Sequence, residues 1–362
     1  MTTQRKPNHA KASSAEPPSA PIAHKRGRSL CSQTLVALPI LNRLLKRTRL
    51  EEFLHAALPS HDARTKLPPA KTLLVLLRNL LVSREPIYGV GEWAARHAPD
   101  QLGLAPGQIG LLNDDRVGRA LDQLFAADVP SLVLAVATHV VKEFAVRLDE
   151  LHNDSTTVSF CGAYADASLA QRVLGRPTLA ITFGYNKDHR PDLKQLLFIL
   201  TVSQDGGVPL HFRAESGNVA DDQTHRDTWD LLCQLTGRRD FLYVADCKLA
   251  TSENMAYLHQ RQGRFVTVLP RTRAEDAAFR GLIEKGQIAW RPLWKKTDDE
   301  GEILDCYSVS DQPATTAEGY RLVWYHSRRK AERDALARNG RIERALKQLA
   351  ALREKLRSPR TR

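Results

Sequence analysis

The chain has 362 residues, a net charge of +12, and 42% hydrophobic against 26% charged residues. That length allows two or three domains with cores of their own, and the composition is that of a globular protein, not a disordered or fibrous one. Its five cysteines, Cys31, Cys161, Cys233, Cys247 and Cys306, are widely spaced and form no C-x-x-C pair. This argues against a disulfide framework and a structural zinc site, and suits a reducing cytoplasm.

No apolar run approaches the ~20 residues of a membrane span. The longest, Leu132 to Val141, is interrupted by Thr138 and His139, and no apolar segment precedes Leu30 as a secretory signal requires. The charge sits at the ends: six Lys/Arg and one Glu in residues 1–29, thirteen Lys/Arg and four acids in residues 328–362, with a near-neutral body between. Basic ends fit a polyanion partner reached by arms; they fit a solvated tail and helix equally.

Residues 1–29, rich in Pro, Ser, Ala and Lys, are expected to be a disordered basic tail. Residues 30–147 read as a helical domain. Leu38, Leu41 and Leu44 begin a helical pattern, and Pro68-Pro69 sets up a helix with a broad face from Leu73 to Leu81. A short helix is expected around Trp93, another capped by Asn113, and one opened by Pro130. The pattern is compatible with a helix-turn-helix DNA reader and with a bundle that touches no DNA.

From Leu148 the pattern becomes α/β, with strands expected at 150–153, 178–185, 196–203, 208–212, 241–245 and 264–269. Helices are expected over 221–235 and 251–262, giving a mixed sheet over 148–270. Past Pro270, three alternating segments (288–294, 303–310 and 320–326) read as antiparallel strands. A helix over 327–356 follows, with Leu336, Ile342, Leu346, Leu349 and Leu352 expected on one side.

Two aspartates end apolar strands: Asp154 in Asn153-Asp154-Ser155-Thr156 and Asp246 in Tyr243-Val244-Ala245-Asp246. Carboxylates on neighbouring strands can share a divalent cation, although a lone Asp after a strand is more often a turn former or cap. Between them, Lys187, Arg190 and Lys194 are candidate phosphate contacts, with Asp188 and Asp192 beside them; a self-neutralised loop reads as well. Asn218 and Asp221 suit a turn before a helix N-terminus. His152 reads as a packed strand residue.

Taken in order, Asn153-Asp154-Ser155-Thr156, then Gly184-Tyr185-x-Lys187-Asp188-His189-Arg190-Pro191-Asp192-Leu193-Lys194-Gln195, then Gly217-Asn218-x-x-Asp221, then Tyr243-Val244-Ala245-Asp246 resemble the motifs of DDE transposases from bacterial insertion sequences. The resemblance runs from about Leu38 to Leu356. It implies an RNase H-like mixed-sheet core, a helical N-terminal domain, and over 271–362 a partial β-rich insertion ending in a long basic helix. It further implies Asp154 and Asp246 as catalytic aspartates on Mg2+ or Mn2+, DNA partners (element ends and target), a homo-oligomer on DNA, no membrane, and a nucleoid-associated cytoplasmic protein. The family's third carboxylate, a Glu on a helix after the insertion, has no counterpart that matches among Glu332, Glu343 and Glu354. The resemblance therefore implies a truncated chain whose activity is defective, or a DNA-binding product without catalysis.

Overall fold

The computed structural model describes residues 32–58, 65–168, 172–187, 189–220 and 224–357. The expected basic tail over 1–29, Asp188 and Asp221 lie outside the described residues. Two compact units emerge, one of residues 1–147 with 156–218, the other of residues 148–155 with 219–362.

In the first unit, six α-helices precede the strands: α1 (Leu38–Arg47), α2 (Leu50–Ala57), α3 (Pro69–Val82), α4 (Val90–Ala95), α5 (Asp114–Ala126) and α6 (Val129–Glu143). Local chemistry sets their starts. Pro69 preorganises the first turn of α3, and the side chains of Asn113 and Asp128 accept backbone N–H groups of Arg116 and Ser131 to cap α5 and α6. The apolar stripes meet in a core of Leu38, Leu67, Val75, Val90, Trp93, Leu102 and Val117. Trp93 is fully buried and keeps its indole N–H satisfied by Ser83 Oγ at 2.8 Å.

The sheet strands are β1 (Glu150–Phe160), β4 (Lys194–Ser203), β5 (Pro209–Ser216), β6 (Leu242–Ala245) and β7 (Arg264–Thr267); β2 (Arg172–Val173) and β3 (Arg176–Pro177) form a small hairpin of their own. The sheet runs β5-β4-β1-β6-β7, with β4 and β5 antiparallel and β1, β6 and β7 parallel. β4 alternates half-buried and buried residues along its whole length, as a strand with one covered face must.

The expected strand over 178–185 does not form. Its chain crosses the ends of β4 and β5 instead of laddering along one of them. Thr182 and Gln195 exchange both backbone hydrogen bonds, but Ala180 turns to Ser216 Oγ and the Gly217 N–H. At Gly184 the crossing is so close that a Cβ would lie 1.9 Å from the Gly217 carbonyl oxygen, leaving no room for further register.

The second unit adds α7 (His225–Thr236), α8 (Ser252–Gln260) and α9 (Ala274–Glu284), then an antiparallel sheet in the order β10-β9-β8: β8 (Arg291–Thr297), β9 (Ile303–Ser310) and β10 (Trp324–Ser327). The sequence pattern did not signal α9, whose one buried side chain, Phe279, stacks on Trp324 at 3.8 Å. The last element is α10 (Arg328–Arg357), thirty residues with none buried. Leu336 departs from expectation: at 3.6 residues per turn it points about 140° round the helix from Leu349. Among the described residues no single helix is long and apolar enough to cross a membrane.

Candidate active site

Asp154 and Asp246 both belong to the second unit, and strand register brings them side by side. β1 and β6 pair in parallel with Leu151 opposite Tyr243 and Asn153 opposite Ala245. The next residue on each strand is the aspartate. Leu151, Asn153, Tyr243 and Ala245 are buried, so the alternation of a strand assigns His152, Val244 and the two aspartates to the opposite, more open face. Neighbouring strands stand about 4.8 Å apart, a spacing across which two carboxylates reach one cation.

The sequence placed Asp154 past the end of its strand. β1 instead continues to Phe160 through Thr156, Thr157 and Val158, β-branched residues that favour the extended chain. What ends at Asn153 is the pairing with β6, and Asp154 is the first residue beyond it.

Backbone donors orient both carboxylates. Asp154 Oδ1 accepts from the Ser155 N–H at 2.8 Å, and Asp246 Oδ1 from the Lys248 N–H at 2.9 Å. The Thr267 hydroxyl donates to the Asp246 carbonyl at 2.5 Å, tying the turn after β6 to the end of β7. On the covered face, Tyr243 packs edge-on against His225, its hydroxyl 3.1 Å from His225 Nδ1, and burial pushes its phenol far above the usual range. These supporting groups left no signal in the sequence beyond ordinary turn and core residue types.

As metal ligands the two side chains suit a hard cation. Mg2+ is commonly held by one or two carboxylates together with water and substrate phosphate oxygens, and a pair of adjacent aspartates provides that protein share. No cluster of three or more His, Cys, Asp or Glu side chains able to hold a metal occurs among the described residues. Two carboxylates would supply part of such an ion's coordination shell, the rest falling to water or substrate oxygens.

The candidate phosphate contacts Lys187, Arg190, Lys194 and Asn218 belong to the first unit. Arg190 is bidentate to Asp192 at 2.8 and 2.7 Å, and this ion pair holds the Asp192 carboxyl below its ordinary range. The Lys194 ammonium donates to the Ala163 carbonyl. Lys187 is half-buried, its backbone N–H directed to Thr157 Oγ1 at 3.4 Å, and Asn218 is exposed.

The two ends of the motif, Gly184 and Gln195, have a structural purpose. Gln195 is 2% exposed and donates to the Gly217 carbonyl at 2.9 Å, within the same crossing that needs Gly184 and Gly217 bare.

Strand order and direction define the class: an RNase H-like mixed sheet, with a helical segment before it and a small antiparallel sheet after it. Residues 30–138 match the family described as "Domain of unknown function (DUF4277)". No curated protein matches the chain. Solved structures to which it is similar include a Mos1 transposase paired-end complex with left transposon end, at TM-score 0.23 and 9% identity over 62% of this chain and 67% of that one. A Mos1 mariner paired-end complex with Mn aligns at TM-score 0.22 and 10% identity, over 67% and 73%. A piggyBac transposase synaptic complex with hairpin DNA aligns at TM-score 0.32 and 9% identity, over 82% and 62%.

Proposed function

We propose that this chain is a transposase of the bacterial insertion-sequence kind, acting on DNA in the cytoplasm, with Asp154 and Asp246 holding a divalent metal. The observation that supports the reading is the register of β1 and β6, in which Asn153 pairs with Ala245, the residues that immediately precede the two motif aspartates. The DDE-type motif order from Asn153 to Asp246 supports it.

A bound Mg2+ or Mn2+ would supply Lewis-acid activation of a phosphodiester and of the attacking water or 3′-hydroxyl. Asp154 and Asp246 hold their carboxylates preset for that ion through the Ser155 and Lys248 N–H groups, so little ordering is left to binding. Thr267 steadies the backbone that presents Asp246. With two carboxylates gathered and no third among the described residues, strand cleavage by this chain is expected to be weak or absent, and DNA binding to persist.

Calorimetric titration with Mn2+ tests the reading. The parent chain is expected to bind, and Asp154→Asn and Asp246→Asn each to lose that binding while their circular dichroism spectra stay unchanged. Affinity for Mn2+ that survives both substitutions overturns it. DNA binding measured against salt separates the alternative, a non-catalytic DNA-binding product. That reading expects a steep salt dependence untouched by either substitution, with no cleavage under any metal.

A further inference from the structure

We propose that the open face of the small sheet β10-β9-β8 is a stacking platform for single-stranded DNA. The inference deepens the DNA reading above and rests on it for the partner, but not on the two aspartates or their metal. Register defines the two faces. Trp294 and Ser327 stand opposite Tyr307, Lys296 opposite Asp305, and Arg291 and Tyr325 opposite Val309, so these side chains share one face. Lys295, opposite Cys306, belongs to the other, with Trp324 and His326 opposite Ser310 and Ser308. That second face is covered: Phe279 of α9 stacks on Trp324, and Trp290 packs against Phe279 and His326. The first stays open. Trp294 is 58% exposed and Tyr325 69%, with Tyr307 half-buried on the central strand between them.

Trp294 and Tyr307 lie nearly parallel, ring centres 5.3 Å apart with 21° between their planes. Cross-strand aromatic pairs stabilise sheets in their own right, which accounts for these two. It does not account for Tyr325, which stands outside that pair, nor for the cations. Lys296 and Arg329 are exposed and form no ion pair among the described residues. Burial, then the hydrogen bond to Asp305, raises the Tyr307 phenol; Tyr325 adds to this and Arg329 opposes it, so both stand near its hydroxyl. Arg291 is exposed too, and pairs with Asp311 at 3.2 Å. Three rings on adjacent strands, about 4.8 Å from strand to strand, match successive bases of an extended single strand, and the flanking cations match its phosphates. Bases stacked within a duplex keep their faces inside, so such rings serve unpaired bases. Asp298, Asp299, Glu300 and Glu302 crowd the turn from β8 to β9, beyond Lys296. They turn a polyanion away from that end and lead it across the strands, from Trp294 over Tyr307 toward Tyr325 and Arg291.

Fluorescence anisotropy on the full chain, with labelled oligothymidine of about 15 nucleotides and a duplex of the same length, tests the platform. Oligothymidine is expected to bind and to quench tryptophan emission. Trp294→Ala combined with Tyr325→Ala is expected to weaken that binding about 30-fold or more, because two stacks are lost, and to leave duplex affinity within about twofold. Trp294→Phe with Tyr325→Phe keeps both ring faces and is expected to retain most of the affinity. Lys296→Ala and Arg329→Ala should each make the log–log salt dependence shallower by about 0.7. Should the double alanine variant lower the thermal midpoint, Tyr325→Ala alone carries the test, at about fivefold or more.

Failure to bind oligothymidine overturns the proposal, as does an affinity indifferent to the alanine substitutions. Equal losses on single strand and duplex overturn it too, since they assign the face to backbone contacts alone. Oligouridine RNA bound more tightly than oligothymidine gives the face to another partner and equally overturns it. The readings fail separately. Asp154→Asn and Asp246→Asn are expected to bind oligothymidine as the parent does, and a parent that binds duplex but no single strand refutes the platform while the DNA reading stands.

Discussion

The same substitution, glycine to alanine, should have opposite effects at Gly217 and Gly118. A Cβ on Gly217 would lie 2.1 Å from the Gln195 carbonyl oxygen and 2.6 Å from that of Thr182, both backbone atoms fixed by the hydrogen bonds those two residues exchange. Relief requires the crossing to open by about 1 Å. Overpacking of this kind costs about 1–3 kcal/mol, and one or two strained hydrogen bonds add about 1 kcal/mol each, so Gly217→Ala should destabilise by about 3–4 kcal/mol. Gly118 lies inside α5 with nothing within 4 Å of its Cβ position. There alanine removes backbone entropy from the unfolded chain and should stabilise by about 0.5–1 kcal/mol. For a unit of this size the midpoints should fall by about 6–16 °C and rise by about 1–4 °C. Thermal unfolding followed by circular dichroism reads both, and hydrogen exchange at residues 195–217 localises the first. Gly184→Ala attacks the same crossing, so its combination with Gly217→Ala should cost less than the sum. A Gly217→Ala midpoint within a degree or two of the parent would refute the close approach on which the motif's geometry rests.

The remaining predictions concern single side chains. Asp305→Ala should lower the helical signal of α10 by removing the acceptor for Ser327, Cys306 and Arg329. The Ser327 hydroxyl, then the Arg329 and Cys306 N–H groups, hold the Asp305 carboxyl down at about 2. Because the folded value is depressed below the ordinary ~3.9, the cap contributes fully above about pH 4 and is lost as pH falls toward 2. A pH titration of that signal in parent and Asp305→Ala should differ above pH 4 and converge as pH falls toward 2. Burial, then the nearby Asp230, pushes the Cys233 thiol up to about 11, so at pH 8 its alkylation should be on the order of 100 times slower than that of an ordinary thiol. Peptide mass spectrometry should find the exposed Cys161 modified well before Cys233. Arg190→Ala should leave the unfolding midpoint unmoved, since its pair with Asp192 is exposed, while NMR titration shows the Asp192 carboxyl returning upward toward its ordinary range.

Periodicity carried most of the fold. Helices α1 to α6 announced themselves through leucine spacing, Pro69, the cap at Asn113 and Pro130, because these signals are local. β4 and β6 were legible as short apolar runs, and β9 by its alternation, for the same reason. The segment 178–185 looks like such a run, yet its fate depends on Gly217, more than thirty residues away, and no local pattern records that approach. α9 was passed over because Phe279 alone anchors it, and its partner Trp324 lies on a distant strand. For the candidate site, the two aspartates were visible as carboxylates after apolar strands. Their expected adjacency came from the motif order, since which strands pair is not recorded in any local pattern. The basic loop was ambiguous from composition, and the structure places Arg190 with Asp192 and Lys194 with a carbonyl.

Helix α10 leaves its small sheet through a joint at Ser327 and Asp305, and among the described residues none of its side chains is buried beyond it. A stiff rod clamped at one end is a lever: a force applied near Leu356 acts on that joint through an arm of about 40 Å. Whatever grips the far end will thus report on, and can bend, the geometry at β9 and β10. Lengthening or shortening the rod by one turn would rotate nothing at the joint, yet would move the grip by about 5.4 Å.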